Sequence, residues 1–404
     1  METPEFFDRN HCILCDSESL RPIWELTKFP FTDSLGSYLR DYPTIDQVLL
    51  VCNVCGMFQL QRVVSPKFLY DSSNYSYERV YSSKIQREGD FYRKLLFEIS
   101  PDVVIRPRKV LEIGGGSDLF INTLIDIFEF AQIIDPAPVI SQKLNPKVEI
   151  TRGFMEDNWS LLENQKFDLV ICRHVIEHVS NPHKFLSEIL KRITKETIVI
   201  FETPNFDSLL AKGRLDAIFH QHLSYFQPKT FRYLVERSGG FVVKEVLLEN
   251  GSNGGVMICV IQKSLQKNSE GSLQINVMSQ NTAKVLEQFS ESLVKFKSNI
   301  DAISEKIDKL KNGFYGLGAG SLVPTLNYHL GGRLSKSYGI IDDDLRKHGK
   351  TYKNVEVKIV PPPSKLREVY SKTCLITSLE NRKVLVARAK EMGFTEVLCP
   401  PPLD

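Results

Sequence analysis

Twice along this chain an apolar run ends in a cluster of glycines, passes through a segment of helical character and meets a second apolar run closed by aspartate. The first instance is Lys109-Val110-Leu111-Glu112-Ile113 followed by Gly114-Gly115-Gly116, with Asp135 closing the next run. The second is Phe314-Tyr315 leading into Gly316-Leu317-Gly318-Ala319-Gly320, with Asp342, Asp343 and Asp344 after Tyr338-Gly339-Ile340-Ile341. Strands joined through a helix must lie parallel, because a parallel pair needs a long crossover. The order therefore predicts two doubly wound α/β units. Glycine at such a turn lets backbone N–H groups approach a ligand, and Ser117-Asp118 is expected to cap a helix from Leu119 to Phe130. An acid about twenty residues on falls where the ribose hydroxyls of a nucleoside would lie.

The dinucleotide fingerprint asks for a third glycine against the pyrophosphate, and Leu119 stands there instead. That argues against NAD at the central turn. S-adenosylmethionine (SAM) carries an amino-acid tail rather than a pyrophosphate, and a Glu-x-Gly-x-Gly turn suits it. Glu112, Gly114, Gly116 and Asp135 are the expected cofactor residues. A third strand, Phe167 to Cys172, runs into Arg173-His174-Val175-Ile176-Glu177-His178, and a fourth spans Thr197 to Phe201. Ligands of such sheets bind at the carboxyl ends of the strands, where His174 and His178 emerge. On a helix the two would share a face at i, i+4, but a metal there lacks a third ligand in sequence, and methyltransferases commonly have a similar segment beside the cofactor. His174 is expected next to the cofactor and His178 at the reacting end; packing histidines are the alternative.

Lys and Arg total 51 against 49 Asp and Glu, a balance that gives no electrostatic reason to expect a nucleic acid or an anionic membrane as partner. No apolar stretch approaches the about 18 residues of a membrane span, and no basic-then-apolar leader opens the chain, so a cytoplasmic protein is expected. Cys172, Cys259, Cys374 and Cys399 are scattered singly, mostly in apolar runs, where a buried thiol is inert. The other four form Cys12-x-x-Cys15 and Cys52-x-x-Cys55. Two chelating pairs supply the four thiolates of a closed tetrahedral zinc site, which predicts a structural Zn²⁺.

Farther along, Phe219-His220-Gln221-His222-Leu223-Ser224-Tyr225-Phe226 concentrates two imidazoles and a phenol after Asp216. With the cysteine pairs, Tyr75-Ser76-Tyr77, Glu112 to Gly116, Arg173 to His178 and Tyr315 to Gly320, the order of motifs resembles the sugar C-methyltransferases that act on nucleotide-linked 4-keto deoxysugars. The resemblance covers essentially the whole chain. It implies an N-terminal zinc module, a central Rossmann-like SAM domain and a second Rossmann-like domain at the C-terminus. It also implies that His222 removes the proton beside the sugar ketone. The chain departs from the family's Tyr-x-Glu-His at Phe219, which cannot donate to an enolate, and at Gln221, which cannot add a negative charge near the base. Tyr75, Tyr77, Tyr225 and His220 are candidates for the missing donor. Asn253-Gly254-Gly255 matches a glycine pair near the family's active site, and a turn into a strand explains it equally well. The family's Ala-Lys-Gly step reads Ala319-Gly320-Ser321 here.

Ser264 to Asn281 reads as a polar linker. From Thr282, Leu286, Phe289, Leu293, Phe296, Ile300, Ile303, Ile307 and Leu310 recur at steps of three and four, predicting one long amphipathic helix. It either dimerises or packs across its own chain, the reading that the resemblance favours; a monomer or a dimer is expected. The expected divisions are a zinc module over 1–75, a SAM domain over 76–263, linker and helix over 264–311, and the second Rossmann-like domain over 312–404. The function expected is SAM-dependent methylation of a nucleotide-linked sugar, with O- or N-methylation of a sugar or small metabolite, or an assembly protein that has lost catalysis, as alternatives.

Overall fold

The computed structural model describes residues 4–32, 35–70, 83–99, 109–137, 144–249, 254–264, 271–363 and 371–400, with backbone alone at 83 and 271–281. Tyr75, Tyr77 and Asn253 lie outside the described residues. The N-terminal part carries β1 (Phe6–Asp8), β2 (Leu20–Pro30), β3 (Leu35–Gly36), β4 (Thr44–Cys52), β5 (Phe58–Leu60) and β6 (Arg62–Val64). β2, β4 and β5 form an antiparallel sheet, while β1 pairs with β6.

The central strands are β7 (Lys109–Ile113), β8 (Phe130–Asp135), β9 (Val148–Arg152), β10 (Leu169–Arg173), β11 (Ile198–Pro204), β12 (Ser224–Tyr225), β13 (Gly240–Leu248) and β14 (Val256–Lys263). All but β12 make one seven-stranded sheet in the order β13-β14-β11-β10-β7-β8-β9. β9 to β11 along the sheet are parallel, and β14 and β13 add on antiparallel. Alternate residues go to opposite faces: Leu111, Val170 and Val199 join one core, and Val110, Leu169 and Ile198 another. Burial on both faces is why these strands read as continuous apolar runs. The order reverses between β7 and β10, so a crevice opens beyond their carboxyl ends.

β12 joins the N-terminal sheet instead, with Ser224 opposite Gln59 and Tyr225 opposite Phe58. The C-terminal strands β15 (Phe314–Leu317), β16 (Ser337–Ile341), β18 (Ile359–Val360), β19 (Thr373–Ile376) and β20 (Glu396–Leu398) form a second parallel sheet, ordered β18-β16-β15-β19-β20. β17 (Thr351–Tyr352) pairs with β3, tying the two ends of the chain together.

Two local expectations are corrected. The helix expected over Leu119 to Phe130 ends at Asn122, a 3₁₀ turn follows at Ile125–Ile127, and Phe130 already opens β8. Asp118 gives no side-chain cap, and the Thr123 hydroxyl donates back to the Phe120 carbonyl at 2.6 Å, a bond that competes with continuation of the helix. The second concerns the linker, since helix begins at Gly271 and runs to Lys309. Phe289, Phe296, Ile300, Ile303 and Ile307 of its seam are buried in a core shared with Trp24 and Phe58, Phe206, and Phe314. The helix thus packs across its own chain. No helix among the described residues is long and apolar enough to cross a membrane.

Candidate active site and cysteine centre

The central glycine turn is held by the acid that follows it. Gly114 and Gly116 adopt φ of 74° and 66°, conformations that L side chains rarely enter. Gly116 N–H donates to Asp135 Oδ2 at 2.9 Å, and Ala137 N–H to Oδ1 at 2.8 Å. A Cβ on Gly114 would lie 2.1 Å from Val175 Cγ2, so the turn abuts the segment that carries the histidines. At Gly116 a Cβ would meet nothing within 4 Å, which leaves that backbone approachable. Glu112 is buried beneath the turn, its Oε2 2.9 Å from where a Gly115 Cβ would sit.

β10 delivers its histidines differently from the helix expected. His174 is a single left-handed residue with φ of 53°, and His178 closes a 3₁₀ turn at Ile176–His178. The i, i+4 face therefore does not exist. Both ring nitrogens of His174 meet carboxylates, Nδ1 with Glu177 at 3.2 Å and Nε2 with Glu202 at 3.1 Å. Both ring nitrogens of His174 are thus engaged by carboxylates within the protein. Glu202 also accepts from Tyr92 Oη at 2.6 Å and Arg173 Nε at 3.2 Å.

Burial alone would discharge His174, but the two carboxylates prevail and raise it to about 9. Glu177, despite its own burial, is held at about 2 by His174 and the neighbouring imidazoles. Stability drawn from the His174 charge is complete below the unfolded imidazole value of about 6.5 and lost as pH rises through about 9. Glu177 contributes above the unfolded value of about 4.3, and its share is lost as pH falls through about 2. His174→Asn keeps a residue tolerant of positive φ while removing the proton. Urea unfolding between about pH 6 and pH 10 should show wild type losing on the order of 2–3 kcal/mol more than the variant. Equal slopes would mean that the native imidazole is neutral.

His178 and His222 come together, with ring centroids 4.9 Å apart at 76°. Glu177, His178 and His222 have ligand-capable atoms within 4.8 Å of one another. His222 is buried and lies 4.1 Å from the Phe219 ring and 6.4 Å from Tyr225. Burial lowers its pKa to about 3, with His178 reinforcing and Glu177 opposing. His178 is also lowered by burial, against the pull of Glu177. Burial thus favours the neutral form of both rings. Tyr225 is buried and its phenol is pushed well above the usual range.

His220 and Gln221 turn away from this pair. His220 Nε2 meets the Phe29 carbonyl at 3.2 Å and its ring packs, tilted, 4.6 Å from that of Phe31, so it is a packing histidine. Gln221 Oε1 accepts from Thr32 at 3.0 Å. The negative charge expected from the position of Gln221 comes instead from Glu177, which sequence reading passed over although it sits inside the motif. Tyr70, 6.3 Å from the His178 ring, and the Glu202 network were likewise missed. Gly254 and Gly255 pack against Arg214 and Ser208 ahead of β14.

The four N-terminal cysteines converge, with Cys12 and Cys55 Sγ 3.5 Å apart and Cys15 and Cys52 Sγ 3.5 Å apart. A tetrahedron of 2.3 Å metal–sulfur bonds has edges of about 3.8 Å, so the set fits one ion with little movement. Cys172, Cys259 and Cys374 are buried in strands, and burial raises each thiol, Cys374 to about 12.

The C-terminal turn is likewise bonded to the acid that follows it. Ala319 N–H donates to Asp342 at 2.7 Å, and Lys347 Nζ reaches both Asp342, at 3.3 Å, and the Ala319 carbonyl, at 3.0 Å. A Cβ on Gly318 would meet Ser378 at 2.6 Å, and one on Gly320 the same residue at 3.0 Å.

A glycine turn, its acid and paired imidazoles lie beside a seven-stranded sheet of the Rossmann-like class. Residues 81–245 match the family model described as a methyltransferase domain, and over that part the chain is similar to SAM-dependent methyltransferases. The ubiquinone biosynthesis O-methyltransferase of Rickettsia bellii is 34% identical over 105 residues, 24% of this chain and 42% of that protein. The C-methyltransferase NovU of Streptomyces niveus is 23% identical over 215 residues, 52% of this chain and 50% of its own length. The chain thus spans two-fifths to half the length of these curated relatives. Among solved structures, SAM-bound CalS10, an amino pentose methyltransferase from Micromonospora echinaspora, aligns with 11% identity over 46% of this chain and 99% of that one, with a TM-score of 0.34.

Proposed function

We propose that this chain is a SAM-dependent methyltransferase that methylates a carbon beside the ketone of a nucleotide-linked sugar, with His222 as base and a structural zinc ion on Cys12, Cys15, Cys52 and Cys55. The observation that carries the reading is the contact of Gly114 with Val175, which brings the approachable turn against the segment of His178. When bound, SAM supplies an electrophilic methyl group. Asp135 would hold the ribose hydroxyls and keeps the turn in shape through Gly116 N–H. His222 takes the proton beside the ketone, and Glu177 stabilises the imidazolium that forms. His178, partly exposed, lies between these groups and solvent. The resemblance to sugar C-methyltransferases supports the acceptor, and NovU is named a C-methyltransferase, which agrees with carbon as the methylated atom. O-methylation is the second reading, favoured by Phe219, which offers an enolate no hydrogen bond, and by the O-methyltransferase relatives.

Calorimetry with S-adenosylhomocysteine tests the placement. Asp135→Ala should weaken binding by about 1.5–3 kcal/mol, roughly 10- to 100-fold, and Asp135→Asn by less because its oxygen can still accept from Gly116. Asp342→Ala should leave affinity unchanged. The opposite pattern would move the cofactor to the C-terminal turn.

A further inference from the structure

Arg9 lies in the N-terminal part, remote in sequence from both histidines, yet its buried guanidinium bonds to the segments that follow each of them. Nη1 donates to the Leu223 carbonyl at 2.8 Å and, at 3.5 Å, to that of Leu60; Nη2 donates to the Ser180 carbonyl at 2.7 Å. Leu223 directly follows His222, and Ser180 lies two residues past His178. On the other side, Leu223 N–H donates to the Glu177 carbonyl at 2.8 Å. The Arg9 guanidinium thus bridges the segment that follows His178 and the segment that follows His222, beside the bond that the His178 ring makes to the Gln221 backbone. Its own backbone is fixed, since Arg9 N–H donates to Gln61 at 2.8 Å beside the β1–β6 pair.

We propose that Arg9 is a positioning residue for the two-histidine site, holding the His178 and His222 segments at a set separation. A guanidinium suits this because its planar fork presents donors in two directions, whereas an ammonium is a point donor that does not span two divergent carbonyls. Burial disfavours this cation, with Cys12 of the cysteine centre as its counter-pull, so simple filling of space would be met more cheaply by an apolar side chain. The ring contact of 4.9 Å between His178 and His222 makes the pair sensitive to small shifts of either segment. The catalytic consequence rests on the function proposed above, whereas the positional consequence stands without it.

The test uses the full zinc-loaded chain and its Arg9→Lys and Arg9→Met variants. Hydrogen exchange read by mass spectrometry should show residues 175–180 and 219–224 losing protection together, by about tenfold or more in Arg9→Met. Arg9→Lys should rescue one segment and leave the other exposed. The ¹H–¹⁵N imidazole signals of His178 and His222 should move, while that of exposed His11 stays. Zinc content and S-adenosylhomocysteine affinity should match wild type within about twofold. Wild-type protection in both segments of the lysine variant, or unmoved imidazole signals in either variant, would overturn the proposal. If Arg9→Met fails to fold, the lysine variant decides alone. Failure of wild type to bind S-adenosylhomocysteine would instead sink the function proposed above and leave the exchange result readable.

Discussion

Replacing His222 with asparagine should lower methyl transfer by about 10²- to 10⁴-fold, the usual worth of a positioned base, while leaving cofactor affinity nearly intact. The imidazole is buried, neutral at pH 7 and packed on Phe219, and Glu177 is the nearby charge able to stabilise its protonated form. Because burial holds His222 at about 3, the acid limb of kcat/KM assigned to it should fall well below the ordinary imidazole range. Carbon methylation adds a requirement that oxygen and nitrogen acceptors lack. The acceptor must first lose a proton from carbon, so a bound keto sugar should exchange its α-hydrogen with deuterated water when S-adenosylhomocysteine fills the cofactor site. The variant should lose exchange and transfer together. Absence of exchange in wild type, with labelled methyl found on oxygen or nitrogen, would replace carbon methylation by the second reading.

Cys52→Ser should release one equivalent of zinc per chain and destabilise the N-terminal sheet by several kcal/mol, since the binding energy of a structural zinc is largely folding energy. Cys52 ends β4, and its N–H donates to Met57 at 2.9 Å just before β5. β5 in turn pairs with β12, so the loss should reach His222, three residues from Tyr225, before it reaches Asp135. Atomic emission measures the metal, and hydrogen exchange compares residues 219–225 with 130–137. Full zinc retention, or deprotection at Asp135 with none at His222, would contradict this account.

The parallel sheets were legible because strands buried on both faces are continuous apolar runs, and because glycines at their ends have few other uses. The cysteine set was legible for the same local reason: each chelating pair is contained in four residues. What escaped depends on single dihedrals or on distant partners. One left-handed residue at His174 separates it from the face of His178, and no periodicity reports that turn. Gln221 reads as a departure that removes a charge from the site, and its side chain answers to Thr32. Arg9 offers no signal at all in sequence, being a lone cation in a polar stretch whose partners are carbonyls.

The pairing of β12 with β5 also bears on the order in which the molecule can assemble. Domains usually fold as they leave the ribosome, amino-terminal first. Here the amino-terminal sheet keeps an open edge at Phe58–Leu60 until Ser224 and Tyr225 have been synthesised and brought back to it. An exposed edge of this kind is a site of mispairing between nascent chains. Closing it from within the central segment makes completion of the first module contingent on the second, so the last strand to seal the cysteine-bearing sheet is the one that brings His222 into place.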